Sequence, residues 1–285
     1  MSAPSSAAPP RPRRPRPGSA SAAPPPSKTG ERLAKRIARA GLCSRREAEA
    51  WIRAGRVAVD GRVVESPALD VTNEQRITVD GRPLPEPEPT RLFRWHKPRG
   101  VVTSARDPEG RPTYVERLPP GLPRLMPIGR LDIDSEGLLL LTNDGELKRR
   151  LELPTTGWTR RYRVRAFGTV DEAALARLRD GLTVNGIAYG PVEARLDKVQ
   201  GANVWLTVAL KEGKNREVRR VLEHLGLKVN RLIRIAYGPF QLGNLAKNAI
   251  EEVPRKVLRE QLGTAAFERG RRRRASPGAG RTPAP

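Results

Sequence analysis

The sequence predicts an α+β protein of two folded units, the larger built around a central, largely antiparallel β-sheet. Three observations carry this. Strand-like and helix-like segments mix without regular alternation, which argues against a doubly wound parallel sheet. Residues 30–84 run as two short helices and then two hairpin-like stretches, enough for a small unit of their own. A proline-rich stretch, "PLPEPEPT" (83–90), reads as a stiff linker, and the larger unit follows over 91–262.

In the first unit, "ERLAKRIARAGL" spaces Leu33, Ile37 and Ala40 for a helix, with Arg32, Lys35, Arg36 and Arg39 elsewhere on its surface. Ser44 and Glu47 form a capping box that opens a second helix, closed by Gly55. "RVAVDGRVV" and "RITVDGRPL" each alternate and turn at Asp-Gly, a strong hairpin signal. Arg45, Arg46, Arg53, Arg56 and Arg62 cluster around these elements. In the second unit, strands are predicted at 91–96, 137–142, 160–167 and 203–210, and helices at 145–152, 171–180 and 215–225. The ends differ in kind. Residues 1–29 are Pro, Ser, Ala and Arg with no acidic residue before Glu31, and 263–285 are Arg-rich, so both are expected to be disordered tails touching RNA diffusely.

The charge points to a partner. Lys and Arg number 54 against 31 Asp and Glu, a net +23, and such an excess predicts a polyanion, nucleic acid first. No stretch of about 18 apolar residues could span a bilayer, and no apolar signal core opens the chain, so a cytoplasmic protein is expected. One cysteine, Cys43, excludes an internal disulfide. With only His96 and His224 beside it, a zinc site is not expected. A phosphate-cradling G-x-x-x-x-G-K-[ST], the H-x-E…P-C-x-x-C of zinc deaminases and a dinucleotide-type G-x-G-x-x-G are all missing, which removes NTPases, zinc deaminases and Rossmann enzymes.

What remains for chemistry is carboxylates and arginines. "GRLDIDSEGLLLLTNDGEL" (129–147) sets Asp132, Asp134 and Glu136 in one polar loop before a buried run of leucines. Asp144 reads as a helix cap, Asp134 as a residue that bends the loop, and Glu136 as exposed. Asp132 follows the apolar Leu131 at the passage from loop to buried strand. Such loop aspartates are most often turns or caps, so residues alone leave its role open, and a magnesium site made by all three acids is one alternative. On the helix of "NREVRR", Val218, Val221, Leu222 and Leu225 form an apolar stripe and leave Arg216, Arg219 and Arg220 on another side. Lys211, Lys214 and Arg216 sit where a loop enters that helix, a place favourable to phosphate. "RRYRVRA" puts Tyr162 and Val164 on one face and Arg161, Arg163 and Arg165 on the other.

The first unit resembles the S4-type RNA-binding domain, or alpha-L motif, which implies a basic helical face gripping RNA, with Arg36, Arg45 and Arg46 on it. "GRLDIDSEGLLLLTNDGEL", "HKPRGVVTS" (96–104), "RRYRV" (160–164) and "EGKNREVRRVLEHLGLKVNRLIRIAYGPF" (212–240) resemble the signatures of the RsuA/RluB family of ribosomal RNA pseudouridine synthases, and "EGKNREVRR" is more like the large-subunit branch. The resemblance spans residues 30 to about 260. It implies an enzyme that isomerises one uridine in ribosomal RNA, free or in a pre-ribosomal particle, with no cofactor needed; a monomer without a metal site is expected. It further implies that Asp132 starts the reaction, as nucleophile at C1′ or as base on the ribose, with Arg219, favoured over Arg220, as its cationic partner. Tyr162 would pack near the uracil and Arg130 would help extrude the nucleotide. A non-catalytic RNA-binding assembly factor is the competing reading.

Overall fold

The computed structural model describes residues 30–263; the expected disorder and RNA contacts of the tails lie outside the described residues. The small unit begins with α1 (Leu33–Arg39) and α2 (Arg45–Arg53). The capping box is present at α2: the Glu47 N–H donates to Ser44 Oγ at 3.2 Å, and the Ser44 N–H donates to the Glu47 carboxylate at 2.8 Å. Four short strands follow, β1 (Val57–Val59), β2 (Arg62–Val63), β3 (Ile77–Val79) and β4 (Arg82–Pro83), in the order β2-β1-β3-β4. Both hairpins turn at Asp-Gly pairs with positive φ at each residue (Asp60 51°, Gly61 80°; Asp80 49°, Gly81 75°), the conformation that matches the twist of paired strands. Leu33, Ile37, Ala48, Ile52 and Val57 are fully buried between helices and sheet.

The large unit contains β5 (Leu92–Lys97), β6 (Met126–Ile128), β7 (Glu136–Thr142), α3 (Gly145–Glu152), β8 (Arg160–Phe167), α4 (Glu172–Arg177), β9 (Val192–Gln200), β10 (Asn203–Leu210), α5 (Glu217–His224), β11 (Lys228–Tyr237), β12 (Ile250–Glu252) and α6 (Arg255–Leu262). The main sheet runs β9-β10-β8-β11-β7-β5-β12, with β6 also on β7. All these ladders are antiparallel except β11 with β7, which pair in parallel through Ile233↔Glu136 and Arg234↔Gly137. The fold is therefore α+β with an antiparallel-rich sheet. The helix predicted over 171–180 is α-helical only over 172–177 and ends in a 3₁₀ turn. β9 and β11 were not predicted, because charged residues interrupt their apolar alternation.

The leucine run explains where the core lies. Leu138, Leu139, Leu140 and Leu141 are all completely buried. Leu139 and Leu141 join a cluster with Phe93, Trp95, Val164 and Leu206, while Leu138 and Leu140 join one on the opposite face with Leu92, Ile128, Leu147 and Leu258. A strand covered on both sides reads as continuous apolar sequence, and each leucine contributes about 1.5–3 kcal/mol. The two units touch through Lys35–Glu146 (2.8 Å) and Arg106–Glu47 (2.5 Å).

Candidate active site

The acid loop lies where β11 and β7 meet, and three elements hold it. The first is the segment after β5. Lys97 follows Phe93 and Trp95 on the buried side of that strand, and its side chain is completely buried. Its Nζ donates to three carbonyls, of Pro98 (3.1 Å), Asp132 (3.0 Å) and Ser135 (2.9 Å), which uses all three ammonium donors. Burial pushes its pKa down to about 8, with Asp132 and Asp134 acting against that shift. Thr103 Oγ1 donates to the Leu131 carbonyl at 2.7 Å, and the Gly100 N–H donates to the Ile133 carbonyl at 2.7 Å.

The second element is β11. Arg234 is buried; its Nε donates to the Leu138 carbonyl at 2.7 Å and its Nη1 to that of Arg130 at 3.4 Å. Its backbone also packs against Gly137, where φ is +107° and a Cβ would come within 2.7 Å of the Arg234 nitrogen. The acid loop can therefore enter β7 here only through glycine.

The third element is α5. Arg219 Nη2 donates to the Asp134 carbonyl at 3.2 Å and lies 3.1 Å from its carboxylate, and Nη1 donates to the Val229 carbonyl at 3.1 Å. Arg216, with a left-handed backbone (φ 52°), places Nη1 3.3 Å from both Asp134 oxygens and 3.8 Å from Asp132 Oδ2.

These contacts correct four expectations. Glu136 is completely buried, paired with Arg231 and, at 3.3 Å, with Lys247. Burial alone would raise its pKa, but the two cations outweigh that and hold it below the ordinary glutamate range. Asp134 does more than bend the loop, since it receives both arginines. Arg219 was expected on a polar face of its helix with Asp132 as partner, yet only 5% of its side chain is exposed and the carboxylate it touches is that of Asp134. The acid loop folds down over that side of α5 and encloses the guanidinium, whose pKa burial lowers against the opposing pull of Asp134. Asp132 keeps a side chain 37% exposed, with Arg216 as its nearest cation.

The other predicted residues fall as follows. Tyr162 is buried on β8, paired in register with Arg234, in the same core cluster as Leu131. Arg130 is exposed at the head of the loop. Lys211 is exposed, while Lys214 is engaged with Glu212 (2.5 Å) and the Ala188 carbonyl (2.6 Å). The turn into α5 is also less open to anions than predicted, because the Lys214 N–H donates to the Glu217 carboxylate at 2.8 Å. Arg220 is half-buried and bonds to Asn215 (3.3 Å). In the small unit, Arg45 and Arg46 are exposed, whereas Arg36 is 16% exposed and tied to Glu31 and Asn73. Burial and the nearby Glu47 push the Cys43 thiol up to about 11.

Sequence reasoning missed Lys97, Thr103 and Arg234. Strand parity held the signal for two of them: Phe93-Trp95-Lys97 and Leu232-Arg234-Ala236 each place the cation in an inward series.

The structure thus sets a helix pair and small sheet beside an antiparallel-rich sheet, with a cation-lined aspartate loop where β11 and β7 meet. Residues 91–224 match the RNA pseudouridylate synthase family and residues 31–77 the S4 domain. An uncharacterised RNA pseudouridine synthase of Rickettsia felis is 47% identical over 228 residues, covering 80% of this chain and 99% of its own. The ribosomal large subunit pseudouridine synthase B of Haemophilus influenzae is 42% identical, covering 85% of this chain and 70% of its own. A crystal structure of a pseudouridylate synthase superposes with a TM-score of 0.56 at 29% identity, covering 81% and 98% of the two chains. The chain belongs to the RNA pseudouridine synthase family.

Proposed function

We propose that the protein isomerises one uridine of large-subunit ribosomal RNA, with residues 30–84 gripping the RNA, residues 91–262 carrying the chemistry, and Asp132 starting the reaction. The observation that carries the assignment of Asp132 is its position: of the two part-exposed carboxylates in a loop whose backbone is held by Lys97, Thr103, Arg219 and Arg234, it is the more exposed, and Asp134 is the one paired with Arg219. The likeness to the Haemophilus influenzae enzyme supports the choice of RNA.

In this reaction the bond from C1′ to N1 breaks, the uracil turns, and C5 bonds to C1′. The C5 proton leaves to water and N1 regains one, so atoms and electrons balance with no redox partner. Asp132 acts on the ribose, and the backbone bonds above fix its geometry before RNA arrives. Arg216 and Arg219 flank the loop with positive charge, Arg216 beside both Asp132 and Asp134 and Arg219 beside Asp134. Tyr162 presents the ring against which the turned base rests, and Arg130 fills the space the nucleotide leaves. Unstacking the base costs a few kcal/mol, repaid by these contacts.

The magnesium reading loses ground on geometry. Glu136 is turned into Arg231 and Lys247, Asp134 into Arg216 and Arg219, and among the described residues no group of three potential ligands converges. Among the described residues no helix is long and apolar enough to cross a membrane. The test of substrate is to incubate the protein with transcribed, unmodified large-subunit RNA and map pseudouridines by carbodiimide labelling and primer extension. One new stop is expected. New stops only in small-subunit RNA or tRNA would overturn the choice of substrate.

A further inference from the structure

We infer that the open face of the sheet over β8, β10 and β9 is a second RNA-binding surface, taking backbone phosphates and an unpaired base of the substrate away from the acid loop. This rests on the reading that RNA is the substrate. Strand alternation turns Tyr162, Val164 and Ala166 into the core and Arg161, Arg163, Arg165 and Phe167 to the other side. Register then sets Trp205 of β10 beside Arg165, with Lys198 of β9 beyond it. The second apolar cluster covers this side of the sheet over β7 and β5, but among the described residues none of its members comes from β8, β9 or β10.

Three features point to a polyanion. The face holds two ion pairs, Arg195–Asp197 and Arg231–Glu136, which leave Arg161, Arg163, Arg165 and Lys198 without one among the described residues. Arg165 lies directly opposite Arg231 in the ladder, but Glu136 pairs with Arg231 and leaves Arg165 without a counter-charge of its own among the described residues. Among those residues its buried Nε has no hydrogen-bond partner. Aromatic rings are interleaved with this charge. The Arg163 guanidinium sits 4.9 Å from the Trp205 ring centroid, and Phe167 is 52% exposed. Cationic groups beside an exposed ring such as Phe167 form the kind of surface that tracks single-stranded RNA and stacks its bases. Arg231 on this side reaches Glu136 at the end of the acid loop, so the face borders that loop.

The test uses the full chain and transcribed large-subunit RNA. The triple variant R161Q/R163Q/R165Q is expected to keep the wild-type thermal midpoint, to bind at least about tenfold more weakly at near-physiological salt, and to lower the slope of log affinity against log salt by about 2. Phe167→p-azidophenylalanine, irradiated with that RNA, is expected to cross-link to it. Wild-type affinity and slope in the triple variant would overturn the proposal. So would a cross-link that joins two copies of the chain or captures an acidic protein in place of RNA. If the wild-type chain failed to bind the RNA and R46Q changed nothing, the RNA-substrate reading itself would fall.

Discussion

At the scale of the residue, the account turns on Lys97. A buried ammonium that donates to three carbonyls, two of them in the acid loop, fixes the backbone at Asp132 and just after it. As its pKa is about 8, it loses a proton, and with it one donor, just above neutral pH. Activity should therefore fall above about pH 8, and that fall should be absent from the lower, flat profile of Lys97→Met. Stability should move the other way. The unfolded chain holds the lysine proton up to its ordinary value of 10.5, so between 8 and 9, below the point where the unfolded Cys43 thiol ionises and opposes the trend, it binds more protons than the folded chain and stability rises with pH. Thermal midpoints and turnover measured across that window should diverge; parallel curves would contradict the assignment. Gly137 gives a second residue-scale test. Gly137→Ala puts a Cβ into the Arg234 backbone at positive φ and should destabilise by on the order of 3 kcal/mol, read by urea denaturation.

At the scale of the element, local chemistry was legible wherever short-range rules decide. The strands at 160–167 and 203–210 and the helix at 145–152 fall where alternation, caps and turns place them. Asp144 caps α3 through the Glu146 and Leu147 N–H groups, and it also accepts from the Thr90 hydroxyl at 2.6 Å. Ser44→Ala should cost about 1 kcal/mol by loss of its cap, seen as a lowered thermal midpoint with RNA binding kept. The sequence was less legible where distant segments meet. Glu136 looked exposed because its partners, Arg231 and Lys247, lie about a hundred residues away. Arg219 looked like a surface arginine because the loop that covers it comes from residues 131–135. β11 was hidden because its charged side chains are matched by tertiary partners instead of solvent.

At the scale of the whole molecule, two units meet through ion pairs and each carries exposed cations. Of the cations predicted to grip RNA in the small unit, Arg45 and Arg46 are exposed while Arg36 is held by Glu31 and Asn73. R46Q should therefore weaken RNA binding and flatten its salt dependence more than R36Q, which should chiefly loosen the unit; filter binding across a salt series separates them. The contacts Lys35–Glu146 and Arg106–Glu47 set the small unit against the large one. The most direct test of the central claim asks whether Asp132 starts the reaction. Large-subunit RNA carrying tritium at uracil C5 would be incubated, with EDTA, with wild-type protein and with Asp132→Asn at matched RNA occupancy. Forming the new C1′–C5 bond sends that tritium into water. The account predicts release by the wild type and none by Asp132→Asn, although both bind the RNA equally. Release by the variant at the wild-type rate would contradict it.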